Sequence, residues 1–190
     1  MKVFVLKGTC GGERKVSLGA DSAVLRPGEP VFLPESGNAG RLAVIPAVRI
    51  GRLGYCVRSN FASYVDAATL FMYLQPDDSD TPSWLPPFIA DRSFSPGKWT
   101  ALPPDGNLRA QVQLSPLPGR TGSTEVLEFA TSLPALDVER YIRELSQYCT
   151  LKTGDLLLFA DCGTELRTAE LDTALQATLN DEKVLDIRLK

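Results

Sequence analysis

From 107 to 114 apolar and polar residues alternate without a break: Leu108, Ala110, Val112 and Leu114 against Arg109, Gln111 and Gln113. A period of two sends successive side chains to opposite faces, so the stretch fits a half-buried strand and does not fit a helix. The C-terminal residues repeat the pattern. Leu175, Ala177 and Leu179 alternate, Asn180-Asp181-Glu182 supplies a turn, and Leu185, Ile187 and Leu189 alternate again, which predicts a closing hairpin. Further strands are expected at 1–6, 42–50, 123–130 and 155–160. The last of these, through Leu156-Leu157-Leu158-Phe159, is apolar enough to be covered on both faces. Pro46 has no N–H to donate, which restricts 42–50 to a sheet edge or a bulge.

One helix is expected, near residues 134–148. Val138, Tyr141, Ile142, Leu145 and Tyr148 fall on one stripe, Glu139, Arg140, Arg143 and Glu144 lie mostly elsewhere, and Ser132 or Asp137 can cap the start. A shorter helix begins near Ala62, and the apolar run 67–74 either continues it or becomes a strand. The fold class is therefore α+β and strongly β-dominated. The 190 residues read as a single domain, 1–190, long enough to bury roughly 70% of the unfolded surface. Within it, 75–106 is a long loop rich in proline and aspartate. Its Trp84, Phe88, Phe94 and Trp99 are expected to pin it to the domain.

A net charge of -3 provides no broad basic field, so nucleic acid is not an expected partner. No segment approaches the roughly 20 apolar residues that span a bilayer, and no membrane role is expected. Cys10, Cys56, Cys149 and Cys162 are far apart without a Cys-x-x-Cys pair, and the N-terminus lacks the flank of a leader peptide. Both point to reduced thiols in a cytoplasmic setting. The chain has no histidine. That removes Ser-His-Asp and Cys-His catalysis and the usual zinc sites, leaving carboxylates, lysine, arginine, tyrosine or cysteine to do any chemistry.

Single motifs are weak. Thr9-Cys10-Gly11-Gly12-Glu13 lacks the lysine and spacing of a P-loop and reads as a hairpin turn. Asp77, Asp78 and Asp80 fit no EF-hand and read as a solvated acidic loop. Cys162 stands beside Asp161 and Glu165, whose charges oppose a thiolate, and reads as an inert thiol.

The order of segments says more. Asp21-Ser22-Ala23-Val24-Leu25, Arg49-Ile50-Gly51-Arg52-Leu53-Gly54, Asn60-Phe61-Ala62-Ser63-Tyr64-Val65-Asp66, Ala90-Asp91-Arg92-Ser93-Phe94 and Lys152-Thr153-Gly154-Asp155-Leu156, in this sequence and at these separations, resemble the fumarylacetoacetate hydrolase family over nearly the whole chain. The resemblance implies a mixed β-sandwich roll and a homodimer. It also implies a magnesium or manganese ion held by carboxylates, polarising a small oxo acid during C–C hydrolysis, decarboxylation or isomerisation.

The residues that resemblance would use are changed. The two metal-binding glutamates fall at Ala43 and Ile45, and the third ligand, an aspartate, falls at Tyr73. The substrate-side lysine falls at Arg92, the aspartate after the following phenylalanine becomes Ser95, and the Thr-Gly-Thr-Pro turn becomes Ala160-Asp161-Cys162-Gly163. The expectation is a family-like domain with no catalytic residues, no metal and no cofactor, serving as a binding or assembly module, for instance for a partner enzyme. The region around Ala43, Ile45 and Tyr73 is expected to be filled by side chains. The alternative is an enzyme of the same superfamily acting on a small oxo acid, with a relocated site drawn from Arg92, Asp78, Asp161 and Tyr73.

Overall fold

A computed structural model of the chain describes residues 1–9, 13–26, 29–33, 40–75, 91–164, 167–168 and 170–190. In chain order they form β1 (Val3–Lys7), β2 (Lys15–Gly19), β3 (Arg41–Ile50), β4 (Val65–Gln75), β5 (Phe94–Pro96), β6 (Thr100–Ala101), β7 (Asn107–Pro116) and β8 (Glu125–Ser132). The helix α1 (Val138–Tyr148) follows, then β9 (Leu156–Phe159), β10 (Arg167–Thr168), β11 (Thr173–Leu179) and β12 (Glu182–Arg188). The larger sheet runs β2-β1-β9-β3-β4-β5, with β6 on β4 and β10 on β3; the smaller runs β12-β11-β7-β8. β1 and β9 are parallel.

The alternation read from the sequence becomes the layer structure. Leu108, Ala110 and Val112 of β7 and Leu175, Ala177 and Leu179 of β11 meet Leu42, Val44, Leu70 and Met72 of the larger sheet in one apolar core. Each leucine, valine and methionine among them stabilises the fold by about 1.5–3 kcal/mol through burial. The other face of the larger sheet carries a second cluster, which includes Val3, Val5, Ala43, Ile45, Phe71 and Tyr73. β9 serves both, with Leu157 and Phe159 in the first cluster and Leu156 and Leu158 in the second. It is covered on both faces as expected.

The closing hairpin turns on Asn180 and Asp181, at φ 50° and 66°, the left-handed pair that a two-residue turn requires and that Asn and Asp tolerate. Asn180 also ties the turn to the neighbouring strand, its Oδ1 accepting from the Arg109 N–H at 2.8 Å and its Nδ2 donating to the Asn107 carbonyl at 3.1 Å.

Four expectations are corrected. β3 lies in the interior of the larger sheet, not at its edge. It tolerates Pro46 because β9 pairs with β3 only over Ala47, Val48 and Arg49, and β10 only over Arg41 and Leu42. The missing N–H falls in the gap between them, on the side where the Val44 N–H also points. The helix begins at Val138, after a turn in which Ser132 Oγ accepts the Ala135 N–H at 3.2 Å; the Asp137 side chain makes no cap bond. Tyr148 is 88% exposed, because the last helical turn runs past the core that holds Val138, Tyr141 and Ile142. Near Ala62 there is one short 3-10 turn, Phe61–Tyr64, and the apolar run after it is β4. Of the 75–106 loop, residues 76–90, with Trp84 and Phe88, lie outside the described residues. Phe94 is fully buried. No helix among the described residues is long and apolar enough to cross a membrane.

Candidate functional site

β3 and β4 are antiparallel partners in a register that sets Ala43 opposite Tyr73 and Ile45 opposite Phe71. Residues two apart on a strand share a face, so the three positions where a metal site is implied do converge on one surface of the sheet. That surface is apolar and closed. Ala43, Ile45 and Tyr73 are 2%, 0% and 3% exposed. The Tyr73 ring stacks on Phe94 with centroids 4.8 Å apart, and Phe71 meets Trp99 edge-on at 6.0 Å.

The donor set does not fit a hard cation. Magnesium and manganese take oxygen ligands, carboxylates above all. Ala43 and Ile45 carry none, and a stacked phenol is a poor substitute. Among the described residues no group of three or more His, Cys, Asp and Glu side chains is placed to hold a metal.

Of the candidate ligand-binding residues, Arg92, Tyr73 and Asp161 are not gathered into one pocket. Arg92 is exposed, with its backbone in the left-handed region at φ 61° and its N–H donating to the Ser22 carbonyl at 3.2 Å. Tyr73 is close to it through Phe94 but buried. Asp161 is exposed at the end of β9, where it accepts the Gly8 N–H at 2.7 Å. Asp161 follows β9 and Arg92 precedes β5, and β3 and β4 lie between those strands, whose axes are therefore three strand spacings, about 14 Å, apart. Asp78 lies outside the described residues, as do Asp77, Asp80, Glu165 and 10–12 of the early glycine turn.

The segment after β9 is a backbone seal. Thr164 Oγ1 accepts the Val44 N–H at 2.8 Å, and the Thr164 N–H donates to the Val44 carbonyl at 2.9 Å. A Cβ on Gly163 would overlap that same carbonyl oxygen, so only glycine allows this approach. Cys162 is buried and disulfide-bonded, while Cys56 and Cys149 are free. This corrects the expected inert thiol. Wide sequence spacing gave no sign of this bond.

Sequence reasoning missed other features. Ser93 Oγ, on the residue after Arg92, is buried with no hydrogen-bond partner among the described residues; a serine in a loop carries no sign of that. Arg49 grips Asp66 through Nε at 2.9 Å and Nη2 at 3.0 Å and lies 5.2 Å over the Trp99 ring, a pairing set by register. Asp155, 1% exposed, binds the Lys2 ammonium at 2.7 Å and the Lys2 and Lys152 N–H groups at 2.8 and 2.9 Å. Burial alone would raise its pKa, but these hydrogen bonds and the ammonium outweigh it and hold the carboxyl below its ordinary range. An open cleft of about 1130 Å³ lies at the β7–β8 hairpin, where Arg120 and Asp172 pair at 2.7 Å. Arg92, Asp161 and Tyr73 do not line it.

Neither a family model nor a curated protein sequence matches the chain. Solved structures do. A 5-carboxymethyl-2-hydroxymuconate delta-isomerase from Mycobacterium smegmatis superposes at TM-score 0.77 and 18% identity, over 99% of this chain and 78% of that one. A fumarylacetoacetate hydrolase family protein from Yersinia pestis gives 0.73 and 16%, over 100% and 92%. A fumarylpyruvate hydrolase from Pseudomonas aeruginosa, solved with Mn2+ and pyruvate, gives 0.72 and 14%, over 100% and 89%. The chain therefore has the fold of the fumarylacetoacetate hydrolase family. At these identities the likeness is one of fold, and the β3–β4 face is where the chemistry of this chain has to be judged on its own residues.

Proposed function

We propose that this chain is a fumarylacetoacetate-hydrolase-like domain that lacks divalent-metal catalysis and serves, as a homodimer, in binding or assembly. The observation that carries the reading is the closed apolar face formed by Ala43, Ile45, Phe71, Tyr73 and Phe94. Enolate-type chemistry on an oxo acid draws its stabilisation from a Lewis acid held by oxygen ligands, carboxylates above all, and that face offers no carboxylate. The lack of histidine also leaves no side chain that titrates near neutrality, unperturbed, to activate water. The test is turnover of acylpyruvates, oxaloacetate and related β-keto acids by the purified protein with Mn2+ or Mg2+, alongside sedimentation velocity. A dimer with no turnover above the protein-free rate is expected; metal-dependent turnover contradicts the reading.

Ser93 favours a second reading. A buried hydroxyl left unpaired costs about 1–3 kcal/mol, and this one belongs to the residue that follows the exposed Arg92. The carboxylate of a small oxo acid would pair with the Arg92 guanidinium, and a shift of this loop would let the Ser93 hydroxyl donate to it as well. On this reading the chain is a hydrolase, decarboxylase or isomerase of the same superfamily with its site moved to Arg92. Such an activity would be lost in an Arg92→Ala variant that keeps its fold.

A further inference from the structure

We propose that the end of the molecule built from residues 51–60 and 145–152 is a docking surface for an acidic peptide segment of another protein, one that carries apolar anchor side chains. This deepens the binding-module reading above by naming the surface and the chemistry of its partner.

Backbone pairing brings the two segments side by side. Gly54 and Leu151 exchange hydrogen bonds at 3.0 and 2.8 Å, the Cys56 N–H donates to the Ser146 carbonyl at 2.9 Å, and the Val57 N–H donates to Ser146 Oγ at 2.9 Å. On this frame Leu53, Tyr55 and Tyr148 stand 65%, 65% and 88% exposed. Single exposed apolar residues are ordinary; three large ones on adjoining, mutually braced segments mark an interaction surface. Tyrosine is also among the residue types that most often anchor interfaces.

Charge selects the partner. Residues 51–60 contain Arg52 and Arg58 and no carboxylate, and 145–152 contain Lys152 and none. The carboxylates nearby are engaged elsewhere: Asp66 with Arg49, Asp155 with Lys2, Glu139 with Arg143 and Glu144 with Arg140. Arg52, Arg58 and Lys152 make no ion pair among the described residues. Arg52 lies 5.5 Å over the Tyr64 ring, a contact that limits its freedom. A locally positive, aromatic surface on a chain of net charge -3 complements Asp and Glu on the partner. A second copy of this chain is disfavoured as the occupant, because a two-fold interface through this face would set the same cations against each other.

The test is selection of phage-displayed random short peptides on the immobilised full-length protein, followed by anisotropy titration of the selected peptides after labelling. Selected sequences are expected to be rich in Asp and Glu, with interspersed Leu, Phe or Trp. Their affinity is expected to fall about tenfold or more in Tyr148→Ala and in Arg58→Glu, with unchanged circular dichroism, and to weaken with added salt. A neutral or basic consensus overturns the proposal. So does binding that survives both substitutions, or sedimentation showing a dimer that Tyr148→Ala dissociates. Metal-dependent turnover would remove the binding-module reading and leave a positive selection intact, whereas a failed selection removes the docking surface alone.

Discussion

Ala43 and Tyr73 face each other across β3 and β4, buried to 2% and 3% exposure, with the Tyr73 ring stacked 4.8 Å from Phe94. A methyl group and a stacked phenol therefore occupy positions where the family resemblance implies carboxylates. The surface they form behaves as core.

A carboxylate placed in that core is expected to be expelled or to unfold the protein. Ile45→Glu places an ionisable group at a position with no exposure. The expected loss is about 3–5 kcal/mol at neutral pH. Burial raises the pKa of the new carboxyl above its unfolded value, so the loss shrinks as pH falls through that raised pKa. Urea denaturation at pH 5 and pH 7.5 measures the difference; equal stability of variant and wild type would mean the face is open to water.

Asp155 makes the fold acid-sensitive in a defined window. Its folded-state pKa is depressed, so its contribution is complete above the unfolded value, about 3.9, and is lost as pH falls through the lower folded value. Asp155→Asn is expected to cost about 1.5–3 kcal/mol at pH 7 and to flatten the acid limb of stability against pH. A variant with the same acid limb as wild type would assign that sensitivity to other groups.

Gly163 is expected to be intolerant of any side chain. Gly163→Ala drives a Cβ into the Val44 carbonyl oxygen and displaces the Thr164 bonds to β3, at an expected cost of about 1–3 kcal/mol. Thermal denaturation reads the loss. An unchanged melting temperature would show that the 161–164 turn does not lie against β3.

Alkylation of denatured protein without reductant, followed by peptide mass analysis, is expected to label Cys56 and Cys149 and to leave Cys162 unlabelled until reductant is added. Labelling of Cys162 in protein purified under oxidising conditions would contradict the disulfide.

Much of the sheet framework was legible because its strands bury one face. β7, β11 and β12 announce themselves by alternation, and β9 by an unbroken apolar run. The short strands β5, β6 and β10, at two or three residues, are too brief to show a period and form through their neighbours. Pro46 misled because a sequence records the missing N–H but not the gap in β9 pairing that receives it. Tyr148 misled because a helical stripe gives direction but not where the opposing core ends. At the candidate site, the lack of carboxylates at Ala43, Ile45 and Tyr73 is read directly from the sequence, whereas their burial on one sheet face comes from the β3–β4 register. The unpaired Ser93 hydroxyl and the Cys162 pairing depend on contacts between distant segments, and no local pattern carries them.

The most direct measurement is calorimetric titration of the purified, metal-stripped protein with Mn2+ and Mg2+. The closed apolar β3–β4 face predicts no saturable heat at a stoichiometry of one ion per chain. Saturable binding with a micromolar dissociation constant, weakened by Tyr73→Phe, would contradict it.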